Sequence, residues 1–254
     1  MKRLLKVLLP ACLVAGVVLA AAGTARAEGV IPVIPGVERT DDPDKVVTTL
    51  EILLLLTVLA IAPSILVLTT AFTRIVIVLS FVRRSLGTQD LPPNSILIGL
   101  SLLLTFMVMA PTFRRIKTHA VVPYMDNRIT QKEAIQEAIA PMRKFMLDQT
   151  RRKDIRLFLD ITKTPVPAQA RNEDIPTEVL VPAFVISELR RAFIMGFAIF
   201  LPFLVIDLVV STTLISMGML VLPPVLISMP FKILLFILVD GWHLTVGSLV
   251  KSFY

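Results

Sequence analysis

The segment from residue 201 to residue 242 is apolar enough for a membrane, yet it carries the charged side chains Asp207, Lys232 and Asp240. An ionised side chain at the centre of a lone transmembrane helix costs about 2.5 to 3.5 kcal/mol even on the lenient insertion scale, so it normally faces other protein or a water path. Lys232 and Asp240 are separated by about 12 Å along a helix and cannot pair with each other. We therefore expect their partners on other helices or other chains.

The composition indicates a membrane protein without catalytic chemistry. Hydrophobic residues make up 55% of the 254 residues, and the mean hydropathy is +0.80. His119 and His243 stand far apart in sequence, and neither lies in a zinc-binding helix motif. No glycine-rich phosphate loop and no nucleophile elbow occurs in the sequence. We expect a protein that is not an enzyme and that needs no metal and no cofactor.

The first 27 residues have the basic, apolar and small-residue order of a cleavable secretory signal. We expect cleavage between Ala27 and Glu28; the alternative is an uncleaved first anchor. Cleavage removes Cys12, the only cysteine, and four basic residues, which leaves 22 basic and 19 acidic residues, a net charge of +3. So small an excess of positive charge argues against a nucleic-acid partner.

Four apolar segments follow, and they predict an all-α, membrane-associated protein built from two helical hairpins. The segments cover residues 50–82, 96–110, 184–215 and 225–249. Arg83 and Arg84 lie in the turn of the first hairpin, and the positive-inside rule places that turn in the cytoplasm. The resulting domains are an exported tail (28–49), the first hairpin (50–111), a periplasmic helical domain with its linker (112–183) and the second hairpin (184–254).

The exterior segment contains a helix start signal. Residues 130–133 read Thr-Gln-Lys-Glu, the order of a capping box, and Ile135, Ile139, Met142 and Met146 follow at the spacing of one helix face. Pro141 interrupts this pattern, which predicts two shorter helices. The proline-rich stretch from residue 163 to residue 177 predicts a linker back to the third apolar segment, and residues 28–45 predict an irregular tail.

Charged residues also occur in and beside the other apolar segments. Arg74 lies deep in the first segment, while Glu188, Arg190 and Arg191 open the third. Glu188 and Arg191 are three residues apart and can pair on one helix face; the alternative is a cluster of interfacial side chains that extend to the headgroups. Arg74, Asp207 and Lys232 fit either structural pairing between packed helices or a proton or ion relay.

The turn between the last two segments is apolar and contains two methionines. Met217, Gly218, Met219 and Leu220 precede Pro223 and Pro224, where the helix must break. Unbranched thioether side chains adapt to irregular gaps, so a ring of such loops could close round a pore. The alternative is a hairpin tip that dips into lipid or packs in a core.

Several long stretches of the sequence resemble the FliP family of flagellar biosynthetic proteins, a component of the type III secretion export gate. They run in order from about residue 50 to the carboxyl terminus. The stretches are LTTAFTRIVIVL (68–79), LPPN (91–94), FMVMAPT (106–112), ELRRAF (188–193), PFLVID (202–207), MPFK (229–232) and VDGW (239–242).

The resemblance implies a core channel subunit of the flagellar export gate in the bacterial inner membrane, at the flagellar basal body. Several copies, in a pentamer-like ring, would assemble with FliQ-like and FliR-like chains and further export-apparatus proteins into a helical, ring-like complex that conducts unfolded flagellar subunits. The methionine-rich gasket of the family corresponds to Gly218, Met219, Leu220 and Val221; Leu220 and Val221 depart from its pattern, and Met217 adds a methionine. The resemblance also implies that the buried charges hold helices and neighbouring subunits in register.

Three other functions remain open from the sequence. A homologous subunit of a virulence injectisome belongs to the same transport class. A small-ion or solute transporter would use Arg74, Asp207 and Lys232 as a relay, although the two hairpins show none of the symmetry expected of such a protein. A purely structural membrane anchor would not need so many ionisable groups in apolar segments.

Overall fold

The computed structural model describes residues 43–88, 91–163, 175–219 and 221–254. The described residues divide into two units, one that ends at Leu59 and one from Ala60 to the carboxyl terminus. Within the described residues all regular structure is helical, which confirms the predicted all-α class. The signal segment, the cleavage site at Ala27 and Glu28, residues 164–174 of the predicted linker and Leu220 lie outside the described residues.

The helices are numbered in chain order. A π-helical turn, Lys117–Val121, joins α3 to α4 without a break. The α-helices are α1 (Pro43–Thr69), α2 (Phe72–Ser85), α3 (Asn94–Ile116), α4 (Val122–Met125), α5 (Gln131–Gln149), α6 (Arg152–Thr162), α7 (Thr177–Ser216), α8 (Pro224–Leu238) and α9 (Gly241–Lys251). Since α1 begins at Pro43, the prediction of an irregular tail through Lys45 was too long.

Three helical stretches of the described residues are long and apolar enough to cross a membrane: Leu50–Thr69, Asn94–Met125 and Thr177–Ser216. Helices α8 and α9 are bent by 64° relative to each other. They provide a fourth span only if the bent pair crosses the membrane as one unit. Asp240 lies at this bend with a φ of +49°. The fourth predicted segment is therefore a broken helix.

The first apolar segment is also divided, because α1 ends at Thr69 and α2 begins at Phe72. The hydroxyl of Thr70 accepts a hydrogen bond from the backbone N–H of Phe72 at 3.4 Å, and the hydroxyl of Thr73 donates to the carbonyl of Val67 at 3.2 Å. Side-chain hydroxyls that bond to nearby backbone groups compete with the helical ladder. The apolar pattern gave no sign of this break.

Two prolines lie inside helices. Pro111 is within α3, and the second segment continues beyond Ala110 to Met125. Pro141 is within the 19-residue helix α5, so the prediction of two shorter helices was wrong. Each proline removes one ladder hydrogen bond, and burial of neighbouring side chains such as Met109 and Met146 in the cores offsets that loss.

The predicted capping box at the start of α5 is confirmed. The backbone N–H of Glu133 donates to the hydroxyl of Thr130 at 3.3 Å, and the Glu133 carboxylate accepts from the backbone N–H of Thr130 at 2.8 Å. Of the predicted apolar face, Met146 is buried, whereas Ile135 and Ile139 are exposed. Only the carboxyl-terminal half of α5 therefore packs into a core.

Helix α2 lies at the centre of the larger unit and packs against α3 and α7. Burial of its apolar side chains, at about 25 cal/mol per Å² of apolar surface, is the main force that holds these helices together. The helices approach closely at Gly196 of α7, where an added Cβ atom would lie 2.5 Å from the ring of Phe81. A second core, under α5 and α6, is centred on Phe184 and Leu180 of α7.

Candidate functional site

Arg74 lies at the middle of a buried polar cluster and is completely shielded from solvent. Its Nε donates to Oε2 of Glu188 at 2.8 Å, and Nη2 donates to Oε1 of the same carboxylate. Nη1 donates to the carbonyl and the hydroxyl of Ser252 at 3.0 and 2.9 Å, and Nη2 donates to Oε1 of Gln149 at 2.9 Å. All five N–H donors of the guanidinium group therefore have an acceptor.

Aromatic and amide groups complete this cluster. The guanidinium carbon of Arg74 lies 3.8 Å from the ring centroid of Phe253, a cation–π contact. Gln149 donates from Nε2 to the carbonyl of Phe253 at 3.0 Å and accepts from Nη1 of Arg191 at 2.6 Å. The cluster thus connects α2, α5, α7 and the residues after α9, which are remote from one another in sequence.

The structure pairs Glu188 with Arg74, whereas the spacing in the sequence suggested Arg191 as its partner. Glu188 is fully buried, so a position among lipid headgroups does not describe it. Arg191 is half-buried against Gln149, and Arg190 is exposed on the other side of the helix. The three charges that open the third segment therefore have three different environments.

Asp207 and Lys232 form a second ion pair, between α7 and α8. The Lys232 ammonium donates to Oδ2 of Asp207 at 2.6 Å, and the hydroxyl of Ser228 donates to Oδ1 at 2.6 Å. Lys232 is buried and Asp207 is partly exposed. The pair accounts for two of the charges inside apolar segments, while Asp240 is exposed at the bend between α8 and α9.

A third polar contact fixes α6 on α7. The hydroxyl of Ser187 donates to Oδ2 of Asp154 at 2.5 Å and accepts from the backbone N–H of Arg151 at 3.1 Å. Arg151 in turn donates to both oxygens of Asp154. Sequence reasoning missed these residues, and it missed Gln149 and Ser252, because uncharged or solvent-compatible side chains give no signal until the fold buries them.

The predicted gate loop begins with a Schellman motif at the end of α7. The N–H of Gly218 donates to the carbonyl of Ile215, and the N–H of Met219 donates to that of Leu214, both at 3.0 Å. Gly218 has a φ of +73°, which glycine adopts without steric cost. The side chains of Met217 and Met219 are partly exposed to solvent, and Val221 is 95% exposed. The loop therefore leaves much of the apolar surface of these three side chains exposed in the single chain.

Comparison with known proteins identifies the family of this chain. The model of the FliP family matches residues 55–249. The chain belongs to the FliP family. The match includes both ion pairs, the loop and every described helix except the beginning of α1 and the end of α9.

Relatives in the FliP family match over most of their length. A protein of Bacillus subtilis named flagellar biosynthetic protein FliP is 57% identical over 84% of this chain and 96% of its own. Proteins of the same name from Caulobacter vibrioides and Aquifex aeolicus are 52% and 44% identical, over 78% and 87% of this chain and 74% and 92% of their own. The similarity therefore extends over 74–96% of the length of these flagellar proteins.

Proposed function

We propose that this chain is the core channel subunit of the flagellar type III export gate, which conducts unfolded flagellar subunits across the inner membrane during flagellum biogenesis. Membership of the FliP family supports this function most directly. The chain acts as a structural and gating component, and its binding energy is used for assembly. Neighbouring copies, FliQ-like and FliR-like chains and further export-apparatus proteins are its partners.

The distribution of apolar surface supports an assembled state. Much of α1, and of α7 beyond residue 192, is apolar and exposed in the single chain. Contiguous apolar surface of this extent requires lipid or protein around it. The two internal ion pairs satisfy Arg74, Glu188, Asp207 and Lys232 within the chain, so these helices can pack against neighbours without leaving buried charges unpaired.

The gate itself is the loop of Met217, Gly218, Met219, Leu220 and Val221. Several copies of this apolar loop, arranged about a common axis, limit the leakage of water and ions and yield to a passing polypeptide. The exposed side chains of Met217, Met219 and Val221 support this role. In this topology residues 112–183 lie on the periplasmic side, α7 runs inward from there, and the loop follows the end of α7. The signal is removed after Ala27.

A relay for protons or small ions receives less support from the geometry. Arg74 is held by Glu188, Gln149 and Ser252, and Lys232 is held by Asp207, so neither cation is poised to exchange its partner. The relatives reported above carry the flagellar name, which favours the flagellar gate over the injectisome subunit.

Secretion in the bacterium that encodes this chain tests the function. Deletion of the gene is expected to abolish the appearance of hook and filament subunits in the culture medium, and the intact gene supplied from a plasmid is expected to restore it. Export of an unrelated signal-bearing periplasmic protein serves as the control and should not change. Undiminished secretion of flagellar subunits in the deletion strain would refute the proposal.

A further inference from the structure

Helices α1 and α7 carry exposed stripes with the same spacing of side chains. On α1 the stripe begins at Glu51 and continues through Leu55, Val58, the half-buried Ala62 and Ile65. On α7 the stripe begins at Arg190 and continues at the same intervals of four, seven, eleven and fourteen residues. Its further members are Ile194, Phe197, Leu201 and Leu204. Residues at these intervals line one face of a helix.

Both stripes are available for contact. Leu55 and Val58 are 63% and 56% exposed, and Ile194 and Phe197 are 54% and 57% exposed. Ala62 on α1 corresponds in position to Leu201 on α7, so a small side chain faces a large one when the stripes are aligned. A small side chain opposite a large one lets the two helices approach closely at that position.

The two stripes begin with opposite charges. Glu51 is the only charged residue from Leu50 to Thr69, and Arg190 is the last exposed charge before the apolar part of α7. Neither residue forms an ion pair with another described residue. An unpaired charge at the edge of an apolar stripe weakens helix packing unless the partner helix supplies the opposite charge.

We propose that α1 of one copy packs in parallel on α7 of a neighbouring copy, with Glu51 paired to Arg190 and the two apolar stripes in register. This inference rests on the proposed function, since it requires several copies in one assembly. Two different surfaces of the same chain then meet head to tail, the kind of contact that repeats round a ring. In the topology proposed above, both helices start on the exterior side, which makes a parallel arrangement possible.

The length of the two stripes agrees with this register. From Glu51 to Ile65 and from Arg190 to Leu204 the chain rises by the same distance, about 21 Å at 1.5 Å per residue. One ion pair at the exterior end therefore aligns four apolar positions below it. A shift by one residue would move the α1 stripe about 100° round its helix and would separate the charges.

Crosslinking between two differently tagged copies tests the proposal. Both copies carry Cys12→Ser, so that no native cysteine remains. One copy carries Glu51→Cys and the other Arg190→Cys, and the two are expressed together in the presence of the other gate subunits. Oxidation should give a dimer with both tags. The control replaces Arg190→Cys by Leu208→Cys, about 27 Å further along the same exposed side of α7, and should give none.

Charge reversal provides a second measurement. Glu51→Lys or Arg190→Glu alone should reduce secretion of flagellar subunits, and the two changes in one chain should restore it. Restoration together with the two-tag dimer supports the interface. A dimer with Leu208→Cys instead of Arg190→Cys, or no two-tag dimer at all, would overturn it.

The result also separates this interface from the gate as a whole. Crosslinks between copies that carry Met219→Cys report the common axis independently of α1. If Met219 crosslinks form and the Glu51 to Arg190 pair does not, lipid or another subunit covers the stripes and the interface proposed here is wrong. If neither crosslink forms, the proposed function fails with it.

Discussion

Arg74 of α2 and Glu188 of α7 form an ion pair in which neither side chain is accessible to solvent, although 114 residues separate them in sequence. Gln149 and Ser252 supply the remaining acceptors for the guanidinium group. This geometry fixes the relative positions of four elements within the single chain. The exposed apolar side of α7 is therefore carried by a core that the single chain forms by itself.

Removal of either partner of this pair should strongly destabilise the chain. Arg74→Met or Glu188→Leu leaves a buried charge uncompensated, which costs about 3–5 kcal/mol. Thermal unfolding of the detergent-extracted protein, followed by near-ultraviolet circular dichroism, measures the loss. Arg84→Met, at an exposed position on the same helix, is the matched control, with an expected change within about 0.5 kcal/mol. Equal stability of the Arg74 and Arg84 variants would contradict the assigned role.

The pair of Asp207 and Lys232 should behave differently when it is replaced as a unit. Lys232→Met alone leaves the carboxylate of Asp207 without its cation, and we expect a smaller loss than for Arg74, since Asp207 is partly exposed. The double variant with Asp207→Leu should recover most of the stability, because apolar packing can substitute for a buried ion pair. Additive losses in a double-mutant cycle would argue against direct pairing.

Gly218 is expected to be required for its backbone conformation. Its φ of +73° strains any side chain, and Gly218→Ala should cost roughly 1 kcal/mol even though an added Cβ meets no atom within 4 Å. Gly247→Ala is the control, since Gly247 lies inside α9 and is equally open; that change should stabilise by about 0.5–1 kcal/mol. Thermal unfolding of both variants measures the difference, and a stabilising Gly218→Ala would contradict the motif.

The capping box of α5 should weaken in acid. The backbone N–H and then the hydroxyl of Thr130 bond the Glu133 carboxylate and hold its pKa below the usual 4.5. A lowered pKa in the folded state means that the cap contributes fully above pH 4.5 and is lost as the pH falls through the lowered value. Hydrogen exchange at the first turn of α5, corrected for the intrinsic rate, should therefore increase below pH 4.5.

Glu133→Gln separates this titration from general acid effects. The glutamine can still accept the hydrogen bond from the backbone N–H of Thr130, but it does not titrate in this range. Protection of the first turn should then stay constant with pH. An equal acid response in both chains would show that another group controls the end of the helix.

The apolar segments, the hairpin turns and the capping box could be predicted from sequence because each depends on neighbouring residues. Local spacing also excluded a Lys232–Asp240 pair. The partners of Arg74 could not be predicted, because Glu188 and Ser252 are adjacent to it only after α2, α7 and α9 have packed. Spacing along one helix instead favoured Arg191 as the partner of Glu188.

The breaks in the helices show the same limit. Pro141 reads as a helix end, yet burial of Met146 and contacts of Phe145 with Phe184 hold α5 in one piece. The bend at Asp240 has no proline, and Gly241 there packs directly against the ring of Phe236, where an added Cβ would lie 2.2 Å away. Tertiary packing decides in both cases whether the helix continues or bends. The sequence pattern of a single segment carries no information about that packing.

The most direct test of the export-gate account is crosslinking of Met219→Cys in a chain that also carries Cys12→Ser. The complex is oxidised in the membrane, extracted in detergent and separated by mass, with Ile227→Cys on the exposed side of α8 as the control position. The account predicts Met219-to-Met219 crosslinks between copies in a complex that contains FliQ-like and FliR-like chains, and none from Ile227. A monomer without partners, or a Met219 reached only by lipid-soluble reagents, would contradict it.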